Sequence, residues 1–65
     1  MIDSYTNEKT RLDKLTGAAS VVANEFERTG DKDAAVAAQV LFGMILDQIE
    51  VVNAELDRLI DKSGI

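Results

Sequence analysis

The sequence predicts an all-α fold, an antiparallel two-helix hairpin that self-associates into a four-helix bundle. Three observations lead there. Apolar residues recur at alternating spacings of three and four through both halves of the chain, the heptad a/d pattern of packed helices. The strongest turn signal, Thr29-Gly30-Asp31-Lys32-Asp33, falls near the middle. The second half carries more apolar surface than a single partner helix can cover.

The elements follow in order within one unit, residues 1–65. The first helix is expected from about 4 to 29, with Asp3 or Ser4 as its cap. Its stripe is Tyr5, Leu12, Leu15, Ala19, Val22 and Phe26. Arg28 suits the last turn, where a cation is favoured, and Gly30 suits the left-handed position after it. After a turn at about 30–31, Asp31 can cap a second helix from about 32 to 62, with Asp33 in its first turn. Lys62-Ser63-Gly64 repeats the stop signal. The second stripe is Ala35, Ala38, Phe42, Ile45, Ile49, Val52, Leu56 and Leu59.

Folding the chain at the turn pairs the stripes. Phe26 is expected against Ala35, Val22 against Ala38, Ala19 against Phe42, Leu15 against Ile45, and Leu12 against Ile49. Further out Glu8 meets Val52, Tyr5 meets Leu56 and Ile2 meets Leu59. Each Phe lands opposite an Ala, the large-against-small arrangement that close packing asks for.

Around the second stripe lie Val36, Ala37, Val40, Leu41, Met44, Leu46, Val51 and Ile60. Between 34 and 46 the helix is apolar nearly all round, the mark of a segment buried on several sides. A homo-oligomer, a dimer in the first instance, would cover that surface, with Leu12, Leu15, Ala19, Val22, Phe26, Ala38, Phe42, Ile45, Ile49, Val52 and Leu56 as its core. A chain of 65 residues with no Cys has few other means of offsetting the entropy of folding.

Composition narrows the function. With 7 basic and 12 acidic side chains the net charge is −5, which argues against a general nucleic-acid binder. With neither His nor Cys there can be no zinc finger and no Ser-His-Asp triad. No nucleophile–base pair, metal cluster or phosphate loop is visible, so no enzyme, metal or cofactor is expected. Residues 1–16 carry six charges and no apolar signal core, and the stretch from Ala34 to Leu46 is too short to cross a bilayer. A cytoplasmic protein that does not engage membranes is expected.

Four surface features remain. Asp47, Glu50, Asp57 and Asp61 share one helical face, which reads first as a solvated outer face and second as a docking strip for a basic partner. Lys9, Arg11 and Lys14 interleave with Glu8 and Asp13, giving an i,i+4 pair (Lys9–Asp13) and an i,i+3 pair (Glu8–Arg11). Glu8 itself sits on a stripe position, leaning outward at a wet bundle end or fixing register. Gly17 lies with Ser20 and Asn24, and Gly43 with Val36 and Val40, on outer faces where another chain could approach closely. Val36, Val40 and Gly43, continued by Asp47 and Glu50, form the candidate partner surface.

The expected function is that of a small non-enzymatic interaction module: an adaptor, inhibitor or assembly factor. In length and in the position of its turn the hairpin resembles the Rop-type plasmid RNA-regulating dimers, an architectural likeness that no motif carries. That resemblance implies the alternative, an RNA-binding regulator using a symmetric helical face. A steep salt dependence would mark the RNA reading and a weak one the protein-binding reading.

Overall fold

In the computed structural model, which describes residues 2–63, two helices pack side by side. They are α1, Ile2–Thr29, and α2, Lys32–Ser63. Gly64, the last part of the expected stop signal, lies outside the described residues.

The turn is built from the residues that signal it. Gly30 adopts φ 69°, a conformation that costs an L side chain but not glycine, and its N–H donates to the Phe26 carbonyl at 2.7 Å. Thr29 Oγ1 donates to the Glu25 carbonyl at 2.8 Å and accepts from the Asp31 N–H at 3.2 Å. Asp31 Oδ1 then accepts from the Asp33 N–H at 3.0 Å, and its carbonyl receives the first helical bond from Ala35. The turn thus satisfies the Phe26 carbonyl at the end of α1 and the Asp33 N–H in the first turn of α2, two of the groups that helix ends leave unpaired.

The hairpin is long and thin, 51 × 15 × 14 Å, with a radius of gyration of 15.2 Å. A compact chain of this length would have about 10.7 Å. Its seam is correspondingly slight. Among the described residues Ala19, Ala38 and Val52 are the buried apolar ones, and no large side chain is fully buried. Two alanines at the centre of the contact let the backbones approach, at the expense of apolar area removed from water.

The stripe of α1 faces the seam as its spacing predicts, with Tyr5, Leu12, Leu15 and Val22 half-buried around Ala19. Near the turn Phe26 stays 41% exposed. The stripe of α2 is turned from the expected one. Ala38, Ile45, Val52 and Leu59 face α1, but Leu41, Gln48 and Glu55 are the covered residues between them. Phe42 is 48% exposed, and Ile49 and Leu56 are each 38% exposed. The pairing of Phe42 against Ala19 is therefore corrected. At Glu8 the seam holds a contact that the stripe pairing does not include, since Gln48 Nε2 donates to its carboxylate. The reason is physical. The apolar band of α2 is wider than one seam, so its periodicity fits either choice, and the Gln48–Glu8 hydrogen bonds belong to one choice alone.

The two kinds of glycine predict opposite responses to alanine. Gly30→Ala is expected to lower stability by about 1 kcal/mol, because the left-handed backbone is strained for any L side chain. Gly17 is helical with nothing within 4 Å of an added Cβ, so Gly17→Ala is expected to raise stability by about 1 kcal/mol. Urea unfolding followed by far-ultraviolet circular dichroism measures both.

Candidate functional site

Chemistry on this scaffold must come from the surfaces of two helices, and they differ. On α1 the flanks of the seam are polar. Lys9 Nζ donates to Asp13 at 3.0 Å, and that hydrogen bond, with the carboxylate's charge, raises the Lys9 pKa. Arg11 lies 3.8 Å from Glu8, and Arg28 is bound to Glu25. On α2 Arg58 bonds both carboxylate oxygens of Glu55 at 2.9 Å. The cluster at Lys9 and Arg11 is thus an ion-paired helix surface, each pair worth a few tenths of a kcal/mol.

Among the described residues the most deeply buried polar group in the seam is Gln48, 7% exposed. Its Nε2 donates to the Glu8 carbonyl at 2.9 Å and to Glu8 Oε1 at 2.8 Å. Among the described residues no buried side-chain nitrogen or oxygen lacks a partner. Beside this pair, Arg11, Leu15, Met44, Asp47 and Gln48 line a shallow open hollow. It holds no pair of groups suited to acid–base work. Among the described residues no group of three carboxylates gathers to hold a metal.

The residues expected in the oligomer core and on the partner surface fall in three places. Ala19, Ala38 and Val52 are buried in the hairpin, and Leu12, Leu15, Val22 and Ile45 are half-buried along it. Phe26, Phe42, Ile49 and Leu56 remain open to solvent. On the far side of α2, Val36 and Val40 are 57% and 58% exposed, with Gly43, Asp47 and Glu50 exposed in line with them.

A further stripe runs between the seam and this strip. Phe42, Leu46, Ile49, Asn53 and Leu56 recur at spacings of four, three, four and three, and each is exposed. Every one directly follows a seam residue, so the stripe is the seam rotated by about 100° around α2. The sequence reading missed it because it assigned Phe42, Ile49 and Leu56 to the seam. The signal was present: Leu46 and Asn53 complete a second heptad series beside the first.

By length and composition α2 is also long and apolar enough to cross a membrane, with mean hydropathy 1.6 over the stretch tested within Lys32–Lys62 and 17% of it buried. The apolar run thus extends beyond the short segment from Ala34 to Leu46, although the core helix of a soluble protein meets the same criterion. Asp47 stands at its midpoint, where a carboxylate costs on the order of 3 kcal/mol in a bilayer. No protein-family model, curated protein or solved structure matches the chain.

The Gln48–Glu8 contact generates a prediction with a defined pH dependence. Gln48→Glu sets a second carboxylate against Glu8 and is expected to cost on the order of 3 kcal/mol at pH 7. The neighbouring charge and burial raise the new carboxyl's folded pKa above its unfolded value. The penalty therefore shrinks as pH falls through the carboxylate range. Gln48→Leu, which leaves no charge unpaired, is expected to stay within about 1 kcal/mol of the parent. Urea melts at pH 7 and pH 4 separate the two.

Proposed function

We propose that this chain is a small non-enzymatic protein-interaction module, an adaptor, inhibitor or assembly factor, that acts as a self-associated hairpin with two copies forming a four-helix bundle. One observation carries the reading. No large side chain is fully buried in the hairpin, while Phe26, Phe42, Met44, Leu46, Ile49, Val51 and Leu56 are all exposed. Leaving this much apolar surface in water forfeits about 1.5–3 kcal/mol for each side chain that a partner could bury, and contiguous exposed patches of that kind mark contact surfaces.

The strip of Val36, Val40 and Gly43, with Asp47 and Glu50 beyond it, is the surface left for a target once the hairpins associate. Its small side chains permit close approach, and its carboxylates favour a partner with a basic rim. The RNA-binding alternative is weakened because four of the seven cations, Lys9, Arg11, Arg28 and Arg58, already face carboxylates.

Sedimentation equilibrium at micromolar concentration is expected to give twice the chain mass of 7.1 kDa. A well-folded monomer at that concentration would overturn the self-association. Phe42→Ala is expected to cost about 3–5 kcal/mol only where assembly buries the ring, and less once dilution leaves the half-exposed ring of the single hairpin. Denaturant melts at two protein concentrations measure the difference.

A further inference from the structure

We propose that the second stripe of α2 is a homotypic seam: α2 of one copy packs antiparallel against α2 of a second copy about a two-fold axis. This rests on the interaction-module reading above and names the face and its occupant.

Three observations favour a second copy. The first is area. The hairpin exposes 4776 Å², whereas a compact monomer of 7.1 kDa exposes roughly 4,100 Å². The excess, roughly 700 Å² per chain, is close to the roughly 800 Å² that each partner buries in a standard stable interface.

The second is self-complementarity. A two-fold interface presents the same patch from both sides, so the patch must be able to face itself. Phe42, Leu46, Ile49 and Leu56 carry no charge, and Asn53 is the one polar member among them. Run antiparallel with the axis at the level of Val51, Leu46 meets Leu56 of the second copy and Ile49 meets Asn53 of the second copy. Phe42 falls level with Ile60. Sliding the pair by one heptad toward the turn sets Phe42 against Asn53 and Leu56 against Gln39 and leaves Leu46 against Ile49 as the one wholly apolar pairing of the three.

The third is that α1 offers no equivalent. Its flanking positions on one side are Lys9, Asp13, Thr16 and Ser20, and on the other side Arg11 and Lys14, so neither flank supplies a second apolar stripe. The mate of the α2 stripe is therefore another α2. In a helical bundle each helix meets two neighbours on adjoining faces. The stripe's rotation of about 100° from the seam matches that placement.

Charge gives the proposal a signature. Each copy carries −5, with Glu50 and Asp57 near the edge of the stripe. Repulsion between copies opposes pairing, and salt screens it. Association through this seam strengthens as salt rises from low concentration, whereas a basic partner held by the same carboxylates would be weakened.

The test uses the full chain and sedimentation equilibrium. Leu46→Glu is expected to weaken dimerisation roughly a hundredfold, the loss typical of a central contact residue, while Val40→Glu on the outer strip leaves it unchanged. Asn53→Leu supplies an apolar mate for Ile49 and is expected to tighten the dimer several-fold, a gain that no folding defect can imitate. Because the natural chain has no Cys, oxidising an equal mixture of Ile49→Cys and Asn53→Cys reads the register. The mixed disulfide is expected to exceed each homodimeric one by well over the twofold ratio that random pairing of an equal mixture gives. A parent dimer that Leu46→Glu leaves intact, that Val40→Glu dissolves, or that salt weakens overturns this seam while sparing the broader reading. A parent chain that stays monomeric overturns both.

Discussion

A single helix can cover only a stripe of roughly 100° on its neighbour, and α2 is apolar over a wider arc than that. The rest of the structure depends on this mismatch. With one helix available, α2 must choose which stripe to give to α1, and the chosen stripe is the poorer. Gln48 and Glu55 lie in the seam, while Phe42, Ile49 and Leu56 stand outside it. Taken as a finished monomer the choice is uneconomical, since rotating α2 by a fraction of a turn would exchange polar for apolar contacts. In a subunit the same choice is favourable, because the richer stripe remains available for a second partner.

The two helices accordingly have different work. Ion pairs such as Lys9–Asp13 and Arg28–Glu25 run along the surface of α1 and keep it wet, so that α1 acts as a one-sided cover. The turn fixes how that cover sits. Gly30 in the left-handed region, followed directly by Asp31 as cap, joins the helices through two residues, too few to let them slide far along one another. Register is thus set from both ends: by the turn, and by the Gln48–Glu8 bonds nearly forty residues apart in sequence.

How much of this the sequence reveals follows from the same asymmetry. The turn is legible because Gly30 and Asp31 have specific backbone duties, and the stripe of α1 is legible because charges bound it on both sides. On α2 the seam is ambiguous. Between 48 and 49, and between 55 and 56, hydrophobicity favours the second residue and the structure uses the first, while between Leu41 and Phe42 hydrophobicity does not decide. Hydrophobic periodicity ranks stripes by how apolar they are, and that ranking fails where a helix has more than one client. Gln48 was the correctable omission, since it shares heptad spacing with Leu41 and Glu55. The outer strip at Val36, Val40 and Gly43 was readable as a surface, but nothing in one chain's periodicity identifies what would cover it.

The polar residues show how two apolar seams on one helix can be kept apart. Apolar packing alone discriminates poorly between registers one heptad apart, and a single amide in each seam improves the discrimination. In the seam with α1 that amide is Gln48, whose donor is satisfied by the Glu8 carbonyl and carboxylate. A register slipped by a heptad would leave it buried without those partners, at a cost of about 1–3 kcal/mol. In the second stripe the amide is Asn53, exposed in the single hairpin and shorter by one methylene. Gln48 opposes a misfolded hairpin, whereas Asn53, set against Ile49 in the proposed pairing, finds no amide partner there and weakens that contact. On a chain this acidic and this short, the seam with α1 would thereby be held more firmly than a second seam on the same helix.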